Sequence, residues 1–116
     1  MKLLVDQLND VDIVRLPARL AMADAPGARK AIRQLVDAGR KHIVLDLAKV
    51  TFVDSSGLSV LVSAMDATRA AGGDVVLLKP SPTVRSLIEL TRLQQVFEIY
   101  GHEGRAVERL QSKIAA

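Results

Sequence analysis

Two short, almost uninterrupted apolar runs constrain this chain most. His42-Ile43-Val44-Leu45-Asp46-Leu47 and Val75-Val76-Leu77-Leu78 have no alternation of apolar and polar positions. Strands with one face in water alternate, whereas strands covered on both faces read as continuous hydrophobic runs, the habit of central parallel strands. Parallel strands need long crossovers, normally helices. The intervening segments supply them. Ala28, Ala31, Ile32, Leu35 and Val36 recur at helical spacing after Pro26-Gly27, and Gly39 stops the run. Leu58, Leu61, Val62 and Met65 share a second helical face, ended by Gly72-Gly73. Ser81-Pro82 reads as an N-cap and first-turn proline ahead of Val84, Leu87 and Ile88.

The flanks complete the pattern. Residues 2–8 and 11–16 are β-rich and joined by Asn9-Asp10, a two-residue hairpin turn. A short strand is expected near residues 96–99. A last helix from Glu103 carries Val107, Leu110 and Ile114 on one side. Strands alternating with amphipathic helices predict an α/β fold with a largely parallel sheet, and the 116 residues suffice for one core.

Composition narrows the function. Aromatics are 3% of the chain, too few for the stacking platforms of single-strand binders. The net charge of +3 comes from 16 basic and 13 acidic residues that interleave, with no polybasic run to follow a phosphate backbone. Arg40-Lys41-His42 is the longest basic cluster and reads as the solvated end of a helix. Direct nucleic-acid binding is therefore not expected. Absence of cysteine removes thiolate chemistry, and two histidines, His42 and His102, do not suggest a metal site. No cofactor is expected. Lys2 and Asp6 bring charge too early for a signal peptide, and no apolar stretch nears the roughly 20 residues of a membrane span. The expected location is the cytoplasm, without membrane insertion.

The conspicuous polar segment is Asp54-Ser55-Ser56-Gly57, between an apolar strand and an apolar-faced helix. A strand-to-helix turn offers unpaired N–H groups and the positive end of a helix dipole. Either Asp54 or Ser55 can cap the helix, leaving another hydroxyl to face solvent, and Gly57 permits close approach by another group. Catalysis is not expected. Val53-Asp54-Ser55-Ser56-Gly57 lacks the first glycine of a nucleophile elbow, no phosphate-binding loop occurs, and neither histidine is placed by sequence beside the serines. Asp46 reads as a strand-end group with a hydrogen-bond partner.

Residues 43–47, then Val50-Thr51-Phe52-Val53-Asp54-Ser55-Ser56-Gly57-Leu58, then Ala70-Ala71-Gly72-Gly73-Asp74-Val75-Val76-Leu77 and Leu87-Ile88-Glu89-Leu90-Thr91 together resemble the STAS domain family, specifically its anti-sigma factor antagonists. The resemblance covers nearly the whole chain and implies one STAS domain over residues 1–116: a mixed, largely parallel sheet with helices mainly on one side. It implies a non-catalytic switch that binds an anti-sigma factor, itself a serine kinase, and so releases a sigma factor. The phosphorylated residue would be Ser56, with a serine phosphatase restoring the binding form. The partner surface would comprise Asp54, Ser55, Ser56, Gly57, Leu58 and Ser59, with the loop near residues 18–22. An alternative within the family is an unphosphorylated adaptor subunit of a transport ATPase or a stress-sensing assembly. The chain departs from the family pattern where Ala18 and Ala21 replace a usual Gly and Asp, where Ser59 replaces a Gly, and where Arg92 stands in place of a Gly.

Overall fold

The computed structural model describes residues 2–115. The chain runs β1 (Leu4–Leu8), β2 (Val11–Arg15), β3 (Arg19–Leu20), α1 (Ala25–Asp37), β4 (His42–Asp46), β5 (Phe52–Val53), α2 (Ser55–Ala70), β6 (Asp74–Leu78), α3 (Pro82–Leu90), a 3-10 turn (Leu93–Gln95), β7 (Ile99–Tyr100) and α4 (Glu103–Ala115). Five strands form one sheet in the order β1-β2-β4-β6-β7. Only the β1–β2 hairpin is antiparallel; β2–β4, β4–β6 and β6–β7 are parallel.

The two apolar runs are the two central strands. Their side chains alternate between two cores, which is why no polar position interrupts them. Ile43, Leu45, Val75 and Leu77 face a core built with Ile32 of α1, Val60, Leu61 and Ala64 of α2, and Val84 and Ile88 of α3. Val44, Val76 and Leu78 face a second, smaller core closed by Ala106, Val107 and Leu110 of α4. Three helices on one face and one on the other is the mixed sheet with helices mainly on one side that the sequence led us to expect. Leu110 is fully buried under the sheet, so truncating it to Ala would cost about 2–4 kcal/mol.

Asn9 takes positive φ (57°) in the hairpin turn, and Gly39 (88°) ends α1. Their roles in the sequence reading hold. Three details differ. The late strand lies at Ile99–Tyr100, after the 3-10 turn rather than over residues 96–99. A second, two-stranded parallel sheet pairs Arg19 with Phe52 and Leu20 with Val53, which no periodicity announced because each strand has two residues. The cluster at residues 40–42 is more than a solvated helix end: Arg40 pairs with Asp12, which is fully buried, and also donates to the Asn9 carbonyl. That pair spares Asp12 the cost of an unpartnered buried carboxylate.

Candidate functional site

The turn between β5 and α2 is organised by Asp54. Its backbone is extended (φ −108°, ψ −172°) and its side chain caps the helix, Oδ1 accepting from the Gly57 N–H at 2.9 Å. Oδ2 accepts from the Met22 N–H at 2.9 Å, tying the loop after β3 to the helix start. The Gly57 amide, aided by those of Met22 and Ser56, holds the Asp54 carboxyl below its usual pKa. Of the two cap candidates, Asp54 fills the role and Ser55 does not.

Gly57 is buried because Leu20 lies across it. A Cβ there would overlap the Leu20 carbonyl oxygen and stand 3.1 Å from Val53 Cγ1. The small β3–β5 sheet can therefore rest on the first turn of α2 only if this residue has no side chain. Ala18 supports the same layer. Its carbonyl accepts from the N–H of Thr51 (2.8 Å) and Phe52 (3.2 Å) and from Thr51 Oγ1 (3.1 Å). Ala18 does not adopt positive φ, so the absence of the usual Gly carries no backbone strain.

With Asp54 capping, both serine hydroxyls are free: neither Ser55 Oγ nor Ser56 Oγ makes a protein hydrogen bond among the described residues. Ser55 is exposed; Ser56 is half-buried rather than fully open. Leu58 is partly buried and packs against the main core. Ser59 Oγ donates to the Ser56 carbonyl at 2.6 Å and accepts from Arg29 Nη1 of α1 at 3.0 Å. Beside this turn the loop and β5 show apolar surface: Met22 is 72% exposed and Phe52 47%, with the Arg19 guanidinium 4.9 Å from the Phe52 ring centroid. The structure thus brings residues 18–22 against residues 54–58. Of the residues expected at the partner surface, Gly57 is buried beneath Leu20 and offers a partner nothing to touch. Sequence reasoning missed Phe52 as a surface residue and Arg29 as a neighbour of the serines, because a two-residue strand and an inter-helix contact leave no local pattern.

No histidine serves the serines. His42 sits in register with Asp74, beyond the far end of α2, roughly 20 Å along the helix from Ser56 at 1.5 Å per residue. His102 precedes α4, whose core lies on the opposite face of the sheet. Asp46 is the structural group expected of it, accepting from the Ala48 N–H at 2.9 Å and from Arg15 at 2.9 Å. Among the described residues no three His, Cys, Asp or Glu side chains are grouped to hold a metal ion, and no helix is long and apolar enough to cross a membrane.

The chain is similar to known proteins over most of its length. The STAS domain family model matches residues 2–106. The chain is 29% identical over 100 residues to an anti-sigma F factor antagonist of Paenibacillus polymyxa, covering 85% of this chain and 86% of that protein. It superposes on the crystal structure of an anti-sigma factor antagonist from Mycobacterium paratuberculosis with a TM-score of 0.82 at 25% identity, over 95% of this chain and 93% of the other. It has the same fold as the anti-sigma factor antagonist SpoIIAA in its unphosphorylated form, with a TM-score of 0.75 at 23% identity over 95% of this chain and 98% of that one. SpoIIAA of Bacillus is also solved in the phosphorylated form, which superposes with a TM-score of 0.73 at 24% identity, over 93% of this chain and 98% of that one. The family-model match over residues 2–106, together with relatives that are anti-sigma factor antagonists, establishes that the chain belongs to the STAS domain family, among the anti-sigma factor antagonists.

Proposed function

We propose that this protein is a phosphorylation-controlled binding switch: unmodified, it sequesters an anti-sigma factor that is a serine kinase, and the sigma factor is released. The kinase transfers the γ-phosphoryl group of ATP to Ser56 Oγ, which loses its proton as ADP leaves. A serine phosphatase then uses water to return the hydroxyl and free inorganic phosphate. The observation that carries this reading is the unbonded hydroxyl of Ser56 on a turn whose capping is already done by Asp54. Modifying that hydroxyl breaks nothing the fold uses.

The surrounding surface suits a protein partner. Met22 and Phe52 offer apolar area beside the serines, and Arg19 lies over Phe52, the aromatic and arginine pairing that anchors many interfaces. A phosphate there adds about −1.5 to −2 charges at neutral pH. A partner covering the turn would have to strip the water from that charge, which a single nearby cation offsets only in part, and this is strongly unfavourable. Binding is lost while the domain itself survives.

The test is phosphopeptide mass spectrometry on the protein from its own cells, with co-purifying proteins identified in the same preparation. Phosphate on Ser56 and a small ATP-binding kinase as partner are the expected result. The Ser56→Ala variant should retain the partner constitutively, with stability within about 0.5 kcal/mol of wild type. Ser56 unmodified under both growth and stress, with a membrane ATPase co-purifying instead, would replace the switch by the adaptor role.

A further inference from the structure

A phosphate on Ser56 would not find a vacant helix N-terminus. Asp54 already occupies it, with one carboxylate oxygen on the Gly57 amide and the other on the Met22 amide. The new dianion would share a turn with an existing anion, so its neutralisation has to come from outside the turn. One cation reaches in from α1. Arg29 Nη1 donates to Ser59 Oγ at 3.0 Å, and that hydroxyl donates to the Ser56 carbonyl at 2.6 Å.

Arg29 is also uncommitted. Arg15, Arg40, Arg69 and Arg109 each pair with a carboxylate, whereas among the described residues Arg29 pairs with none. It lines a cleft of about 80 Å³ between α1 and α2, together with Arg33 one turn further along and Ser63. Residues three apart share a helix face with Cβ atoms about 5–6 Å apart. Ser56 and Ser59 are therefore neighbours within the combined reach of a phosphate and a guanidinium.

We propose that Arg29 is the receiver for the phosphate on Ser56: after modification its guanidinium leaves Ser59 Oγ and pairs with the phosphate oxygens, latching α1 to the first turn of α2. This rests on Ser56 being the phosphoacceptor. A neutral hydroxyl acceptor is exchanged for a dianion whose oxygens match the planar guanidinium fork, which makes a stronger, charge-assisted contact. Ser59 is the resting place of the guanidinium in the unmodified protein. A residue without a hydroxyl at position 59 would give it nothing to hold there.

The experiment uses the full chain with phosphoserine installed at position 56 during translation, so that no cognate kinase is needed. A 31P NMR pH titration then reads the second ionisation of the phosphate. It is expected to fall about one unit lower in the otherwise wild-type protein than in Arg29→Gln. Ser59→Ala should leave that lowering in place, since Ser59 only parks the guanidinium. Arg33→Gln should produce less than half the change seen with Arg29→Gln. Arg29→Lys, which keeps the charge without the fork, should fall between wild type and Arg29→Gln, and it carries the test if Arg29→Gln misfolds. Identical titrations in wild type and Arg29→Gln (or in wild type and Arg29→Lys, should that variant carry the test), or equal effects from Arg29→Gln and Arg33→Gln, would overturn the assignment. Whether cells phosphorylate Ser56 is settled separately by phosphopeptide analysis, so the two readings fail independently.

Discussion

Replacing Gly57 with Ala should destabilise the protein, although the same exchange in a helix normally does the reverse. In an open helical site Ala is favoured over Gly by up to about 1 kcal/mol. At Gly57 the added methyl would overlap the Leu20 carbonyl oxygen, stand 3.0 Å from the Leu20 carbonyl carbon and 3.1 Å from Val53 Cγ1. Two of those three atoms are backbone, and they belong to a strand already paired to β5. They cannot swing aside as a side-chain tip could, so the flap has to lift by about 1 Å or more. Overpacking of this kind costs about 1–3 kcal/mol, leaving a net loss of up to about 2 kcal/mol once the full propensity gain is subtracted. For a domain of this size the melting temperature should drop by up to about 8 °C. Lifting the flap also strains the Met22 N–H bond to Asp54, so the Met22 amide should exchange with solvent faster than in wild type. Gly104→Ala in α4 is the control: a Cβ there meets nothing within 4 Å, and that variant should be unchanged or slightly stabilised. Thermal unfolding and amide exchange on both variants decide the matter. A Gly57→Ala protein as stable as Gly104→Ala, with Met22 still protected, would refute the close-approach argument.

Two more predictions concern other parts of the molecule. Arg92 adopts a left-handed conformation (φ 59°) just past the Thr91 cap of α3; Arg92→Gly should stabilise the domain by about 0.5–1 kcal/mol, read as a higher urea midpoint. The Glu98 carboxyl is held down to about 2 by Arg109, with Tyr100 adding a hydrogen bond. Its folded value is below its unfolded one, so its contribution to stability is complete above about pH 4.5 and disappears as the pH falls toward 2. Glu98→Gln should therefore lose less stability than wild type between pH 5 and pH 2.5. Partial exposure of the pair means that added salt should shrink this difference.

The order of strands and helices was determined locally, and so was legible. Continuous apolar runs at residues 43–47 and 75–78 belong to strands covered on both faces, and 3.6-residue spacing marks helices whatever they pack against. The polar segment at residues 54–57 was legible as a capped helix start for the same reason. What sequence could not decide is which groups meet across the fold. That Asp54 rather than Ser55 caps α2 depends on the Met22 amide arriving from 32 residues earlier. That Gly57 must be glycine depends on Leu20 crossing above it, through a two-residue strand too short to leave a periodic trace. That Arg29 lies beside the serine turn depends on how α1 packs on α2, since its own helix would accept almost any polar residue there. Local pattern specifies each element because hydrogen bonding and side-chain direction repeat along the chain. The site is set by distances between elements, and those exist only once the sheet has brought residues 20, 29 and 54–59 together.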